Sequence, residues 1–255
     1  MNYIEAYPDA TVQFSPFAFS NTGVIKSQTV LKLDTYSLVT VPWQFSMTKA
    51  ILLGSFSLDE ISFFQRFRAS VASLSLGVQR PDERQPIKVF ARCTVSAIGP
   101  MKDKKGIALI VLEWKPMPPD LAEILGRYLD LVERLKVEVG DYKDKFIQIS
   151  PTTAKRLGYN NYAVLRKGGE QAKIALFSLA SNRLDFLESM NSPDRLVGEQ
   201  VVIDLFFLKY RFSVSGTIDS ATRLPTGVQR SKLVIGFSAE LMHILEEYFN
   251  QHGMS

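Results

Sequence analysis

The sequence predicts a mainly β fold with helices: two β parts joined by one long helix, the second part a small barrel closed by a C-terminal helix. Three observations carry this. Short runs rich in β-branched and aromatic residues, separated by turn formers, fill both halves. One amphipathic stretch with a Pro-rich start and a Gly stop divides them, and a second amphipathic stretch ends the chain.

Residues 1–28 carry Glu5, Asp9 and Lys26, are rich in Ser, Phe and Pro, and show no period, so an irregular or weakly stranded leader is expected. In residues 29–115, the first β domain, strands are expected at Tyr36 to Val41, Gln44 to Leu53, Ser70 to Val78, Ile87 to Ala97 and Gly106 to Glu113. Val89, Ala91, Cys93 and Val95 alternate with Phe90, Arg92, Thr94 and Ser96, the pattern of a half-buried strand. The segments around Pro81 and from Lys102 to Gly106 read as loops.

Residues 116–140 form the connecting helix. Pro118 and Pro119 suit its start, and Asp120 complements the N-terminal dipole. Leu121, Ile124, Leu125, Tyr128, Leu131, Val132 and Leu135 recur on one face, and Gly140 ends it. Glu123 with Arg127 and Asp130 with Arg134 are solvent-facing pairs in the favourable order.

Residues 141–255 form the second β domain. It starts at Phe146 to Ile149. Ser150-Pro151 opens a helix of one to two turns that Gly158 closes. Tyr162 to Arg166 and Lys173 to Phe177 flank a tight turn at Gly168-Gly169. Leu184 to Leu187, Gln200 to Phe207, Tyr210 to Ile218 and Lys232 to Phe237 follow as strands. Leu241, Ile244, Leu245 and Tyr248 line one side of the last helix, Ala239 to Phe249. Several short strands and a terminal helix suggest a plugged barrel.

The 255 residues are 46% apolar and 22% charged, a globular composition. With 30 basic and 26 acidic groups the charge is +4, which permits an anionic partner without demanding one. The densest basic cluster, Lys102, Lys104 and Lys105, is broken by Asp103 and reads as a solvated turn, not a nucleic-acid track. The lone Cys93 rules out an intrachain disulfide and suits a reducing cytoplasm. Met1 to Ser20 has no secretory pattern, and the most apolar run, Val201 to Leu208, is short and broken by Asp204. No membrane insertion and a cytoplasmic location are expected.

Chemical motifs are absent: no phosphate loop, dinucleotide fingerprint, G-x-S-x-G or zinc cluster. His243, four residues before Glu247, reads as a surface helix residue, and His252 lies in the helix tail. Cys93 reads as a core thiol. Phe63-Phe64-Gln65-Arg66-Phe67-Arg68 reads as core aromatics followed by a solvated turn. Arg80 and Arg84 have R-x-x-x-R spacing but read as a solvated loop. Ser55 to Phe64 mirrors Ser178 to Leu187 in shape, a faint repeat.

The element order resembles the PilZ domain, a short β-barrel with a closing C-terminal helix and a ligand-binding segment before the barrel. Gly198-x-x-Val201 leading into Val202 to Phe207, Val214-Ser215-Gly216-Thr217-Ile218, and Leu233-Val234-Ile235-Gly236-Phe237 resemble the family's strands. Lys115 to Asp120 with Tyr128-Leu129 is similar to the linker of two-domain members, whose N-terminal half is itself PilZ-like. The resemblance therefore implies two small PilZ-like barrels joined by a helix. Members that bind cyclic di-GMP carry R-x-x-x-R before the barrel and D/N-x-S-x-x-G after the first hairpin. Two Arg forks grip phosphates and stack on guanine, Asp and Ser bond guanine edges, and Gly permits close approach. Here the first motif's place reads Asp141, Lys143 and Lys145 with no Arg. In the second, Ser178 takes the Asp place, Ala180 the Ser place and Arg183 the Gly place.

The implied function is a non-enzymatic PilZ-family adaptor acting on protein partners, with degenerate motifs, weak or absent cyclic di-GMP binding and no cofactor. Two other readings stay open: a cyclic di-GMP receptor with an altered site, in which Arg183 grips a phosphate from a new position, and a basic nucleic-acid-binding module.

Overall fold

The computed structural model describes residues 1–102, 104–142 and 145–252. The chain divides into two compact units, Met1–Leu131 and Val132–Ser255.

The first unit begins with α1 (Tyr3–Ala6), β1 (Thr11–Gln13) and α2 (Pro16–Thr22). The barrel strands are β2 (Val24–Leu33), β3 (Tyr36–Val39), β4 (Val41–Ser46), β5 (Lys49–Ser55), β6 (Val71–Val78), β7 (Ile87–Pro100) and β8 (Ile107–Trp114). Between β5 and β6 lie α3 (Leu58–Phe64) and a 3-10 turn, Gln65–Phe67. The hydrogen-bonded order is β1-β4-β5-β8-β7-β6-β2-β3, antiparallel throughout. Only Thr40 separates β3 from β4. β3 bonds β2, and β4 bonds β5. At the corner the buried Thr40 donates its amide to the Thr29 carbonyl at 2.9 Å. One bent strand thus serves both ends of the row and brings it back on itself. Leu31, Leu33, Phe45, Leu52, Leu74, Leu76, Ile110 and Leu112 fill the interior and are fully buried.

The helix α4 (Pro119–Glu138) follows β8, and the division between the units falls within it. In the first unit the Tyr128 ring lies 6.0 Å from Phe17 of α2, and Tyr7 donates to Asp130 at 2.6 Å. A side chain at Gly126 would collide with the Tyr3 ring.

The second unit continues with a 3-10 turn (Val139–Tyr142), β9 (Phe146–Gln148), α5 (Pro151–Leu157), β10 (Tyr159–Lys167) and β11 (Glu170–Ala180). Then come β12 (Arg183–Glu188), β13 (Gln200–Phe207), β14 (Arg211–Arg223), β15 (Gln229–Ile235) and α6 (Ala239–His252). The row β10-β13-β14-β15-β12-β11 closes through β10–β11 pairing, giving a six-stranded barrel. β9 takes the edge of β11 that β10 leaves, setting Phe146, Ile147 and Gln148 opposite Ala180, Leu179 and Ser178. Phe186, Leu184, Ile203, Leu205 and Leu233 fill the interior, and α6 buries Leu241, Met242 and Leu245.

The two units repeat one plan. With β3 and β4 counted as one bent strand, both rows run first, fourth, fifth, sixth, third, second and back to first. β1 stands on β4 as β9 stands on β11. α2 and α5 are both seven-residue helices with a Ser cap, Pro at the first turn and a left-handed Gly, Gly23 or Gly158, at the end. A single helix follows each barrel.

This corrects the reading of residues 1–28. They are no irregular leader: α2 buries Phe17 and Ala18, β1 buries Val12, and β2 already starts at Val24. The repeat is also displaced. Ser55 to Phe64 is the end of β5 and α3, because Ser57 and Glu60 form a capping box that starts a helix. The segment equivalent to Ser178 to Leu187 is the β4–β5 hairpin, whose turn lies inside the single strand expected from Gln44 to Leu53. Ser46 Oγ, which accepts from the amides of Thr48 and Lys49 at 3.2 Å each, makes that turn without Gly, Asn or Pro. The expected solvated turn around Asp103 falls partly outside the described residues. No helix among the described residues is long and apolar enough to cross a membrane.

An ion cluster fixes the loop between β12 and β13. Buried Arg195 donates to Glu188 at 2.7 Å and to Glu199 at 3.2 Å, and Lys167 lies 3.2 Å from Glu199. Burial would raise the Glu199 carboxyl, but the Leu196 amide, Lys167 and Arg195 outweigh it and hold it below its ordinary value. A lowered folded pKa stabilises above the unfolded value and loses that contribution as pH falls. Glu199→Gln should therefore lower stability at pH 7 by about 1–3 kcal/mol. In denaturant titrations the gap to the parent should shrink below about pH 4.3.

Candidate functional site

The positions named from the resemblance gather at the end of β11, because β9 must cover that strand's free edge. Asp141 stays exposed on the 3-10 turn before β9. Lys143 lies outside the described residues. Lys145 directs its ammonium at two rings, 5.2 Å from the Tyr142 centroid and 5.8 Å from that of Phe249 on α6. Those rings stack at 5.4 Å. The ammonium is thus held on aromatic faces. Ser178 is 5% exposed, with Gln148 on one side in register and Asp185 on the other. Ala180 is buried opposite Phe146. Arg183 opens β12, and its Nε lies 3.6 Å from Asp185 Oδ1.

Neighbouring elements hold this region in place. Ser181 donates to the Val139 carbonyl at 3.4 Å. Arg134 donates to Glu246 at 2.7 and 3.3 Å and to Glu138 at 2.7 Å, and the two carboxylates hold its guanidinium further in the charged form. Burial first, then Glu138, Glu246 and Asp141, pushes the Tyr142 phenol up.

The sequence reading missed a group on the outer wall beside these positions. Arg230 donates to Asp185 Oδ2 at 2.7 Å, and its guanidinium lies 4.0 Å from the Phe177 centroid. Lys232 is opposite Asp185 in the ladder. The signal was present: Leu184, Phe186, Leu233 and Ile235 point inward, so the alternating Arg183, Asp185 and Lys232 point outward. Alternation also explains Asp204 within its apolar run. It faces out and accepts from Ser213 at 2.6 Å and Arg166 at 2.7 Å, which outweigh burial and lower its carboxyl.

The remaining candidates lie on other elements. Arg80 and Arg84 lie on the β6–β7 loop, where Arg80 pairs with Glu83 at 3.8 Å and Arg84 is exposed. Phe63, Phe64 and Phe67 surround Tyr36, with Arg66 lying 3.6 Å over Phe63. His243 is half-buried, 3.6 Å from Glu247 and 4.0 Å from Glu246, with its ring on Tyr210, so it is not the surface residue expected.

The PilZN3 domain model matches residues 1–132, which is more than half of the chain. The chain belongs to the PilZN3 family. With its second closed barrel and C-terminal helix, this PilZN3 protein is of the two-domain PilZ type. It is similar to the solved PlzA protein of Borreliella burgdorferi in complex with cyclic di-GMP, with 16% identity, 97% of each chain covered and a TM-score of 0.49. It is also similar to Escherichia coli YcgR in complex with cyclic di-GMP, with 13% identity, 98% of this chain and 94% of that one covered and a TM-score of 0.30. For the Bacillus subtilis inhibitor of motility MotI the values are 11%, 89%, 99% and 0.30. No curated protein matches the chain.

Cys93 is fully buried within the first barrel, and burial pushes its thiol up to about 11. A thiol reagent at pH 8 should leave it unmodified in the folded protein and react stoichiometrically in denaturant. Fast reaction under native conditions would contradict this placement.

Proposed function

We propose that this PilZ-type protein is a non-enzymatic signalling adaptor that works through protein contact, and that its motif positions bind cyclic di-GMP weakly or not at all. The observation that carries the reading is how the motif places are filled. Ala180 has no polar side-chain atom to offer, and Ser178 is buried beneath the β9 edge. Arg183 stands where close backbone approach is needed, engaged with Asp185. Lys145 faces aromatic rings and, as a point charge, lacks a guanidinium's bidentate fork. The buried Cys93 fits a protein without a catalytic thiol nucleophile. A cytoplasmic site of action fits a buried free thiol.

Titration calorimetry with cyclic di-GMP tests the reading. The expected affinity is worse than micromolar, less than about 8 kcal/mol. A variant carrying Asp141→Arg, Lys145→Arg, Ser178→Asp, Ala180→Ser and Arg183→Gly should gain binding. Submicromolar binding by the unmodified protein at these positions would sink the proposal.

A further inference from the structure

We infer that the outer face of β10 and β13, with the adjoining parts of β11 and β14, is a protein-docking surface for an acidic segment: two carboxylates with an aliphatic side chain between them. This rests on the adaptor reading and names the chemistry of the partner.

Strand order comes first. β10 pairs with β11 on one edge and β13 on the other, and β13 pairs with β14. Ala163, Leu165, Ile203, Leu205, Phe212 and Val214 are buried in the barrel, so the residues that alternate with them face outward. Four outward residues form a line across the strands. Lys173 Nζ of β11 lies 4.9 Å from the Tyr162 ring centroid of β10. Tyr162 stacks on Phe206 of β13 at 4.9 Å, with the planes 27° apart. The Arg211 guanidinium of β14 lies 4.8 Å from the Phe206 centroid. The strand order sets Tyr162 between Lys173 and Phe206, and Phe206 between Tyr162 and Arg211. Each ring thus has a neighbour on both faces and turns its edge to solvent. The rings are half-buried, and the two end cations are exposed.

Charge comes second. Arg166, Lys173 and Arg211 are cations of this face, and Asp204 is its outward carboxylate. Asp204 is buried and accepts from Ser213 at 2.6 Å and from Arg166 at 2.7 Å. It therefore offers little repulsion to an incoming acid, and the face keeps an excess of positive charge. Arg166, Asp204, Phe206, Arg211 and Ser213 line a shallow hollow on it. Lys173 and Arg211 rest on rings rather than on carboxylates. A cation held in this way loses less freedom when it takes a carboxylate. Aromatic residues and Arg are also enriched at protein interfaces. Single-stranded nucleic acid, by contrast, binds by stacking its bases on open ring faces, and here both faces of each ring are taken. The face suits protein carboxylates rather than bases.

Spacing narrows the partner. Lys173 and Arg211 stand three strand spacings apart, about 14 Å. In an extended chain, residues i and i+4 span about 14 Å with residue i+2 on the same side. The matching segment is Glu-x-Leu-x-Glu, its Leu lying on the ring edges.

NMR titration of the full chain with a peptide containing Glu-Ser-Leu-Ser-Glu tests this. Amides of β10, β13 and β14 should shift saturably, with affinity falling as salt rises. The same peptide with Gln for both Glu should bind at least fivefold more weakly. That comparison leaves the protein unaltered, so a folding defect cannot mimic it. Lys173→Gln and Arg211→Gln should each weaken binding at least threefold, and Arg211→Lys should lose less than Arg211→Gln. Arg183→Gln, on β12, should leave it unchanged. The inference is overturned if the acidic peptide does not bind, if it shifts other faces instead, or if binding survives both charge-removing substitutions. It is also overturned if single-stranded oligothymidine binds this face more tightly than the peptide. The two readings fail separately. Absence of peptide binding overturns only the inference, whereas submicromolar cyclic di-GMP binding at the motif positions overturns the adaptor reading whatever the peptide does.

Discussion

Both barrels depend on closing a row of six strands so that backbone groups at the two ends find partners. An open row would leave unpaired N–H and C=O groups at each edge. The chain solves this twice with the same device. The second strand is long or bent, and it serves two neighbours in succession. In the first unit, β3 bonds β2 and β4 bonds β5, with the turn of direction at Thr40. In the second, β11 bonds β10 over its first half and β12 over its second, with an irregularity between Leu176 and Ser178.

Closure of this kind has a by-product. Where the second strand leaves the first, its outer edge is bare for three residues. A short strand from before the barrel must cover it, β1 in one unit and β9 in the other. That is why the pre-barrel segment and the hairpin turn after the second strand, distant in sequence, lie side by side. The pre-barrel segment and this turn are thus brought together by backbone pairing before any side chain contributes. Side chains decide only what the place can hold.

Much of this frame is legible in the sequence. Ser150-Pro151 with Gly158 marks α5, and the Pro-rich start and single apolar face mark α4. Ser15-Pro16 with Gly23 carries the same signature as α5, yet the sparse charge and irregular pattern of residues 1–28 concealed it. The β4–β5 turn was illegible for a different reason. Met47 and Thr48 are not turn formers, and the bend is made by the Ser46 hydroxyl bonding two amides ahead. The outer wall could have been found from alternation, since Arg183, Asp185 and Lys232 are outward positions of strands whose inward positions are plain. What alternation could not reveal is the burial of Asp185, which arises from lateral neighbours on separate strands.

The repeat bears on the glycine that the resemblance leads one to expect at the place of Arg183. Register places Gln44, Ser46 and Lys49 of the first barrel where the second has Ser178, Ala180 and Arg183. Neither barrel has glycine at the last of these positions. Neither Lys49 nor Arg183 has a positive φ; among non-glycine residues of the described chain that conformation falls on Asp34, Ala69 and Asn161. The backbone at this turn is therefore open to any L-residue, and the barrel closes equally well around a long cation. A glycine here would serve close approach of a ligand and nothing in the fold. The first barrel retains a serine at the middle position, but the Ser46 hydroxyl is committed to the turn's own amides. Both barrels thus use this region for internal bonding, and in the second Arg183, at the last of the three positions, pairs with Asp185 at 3.6 Å.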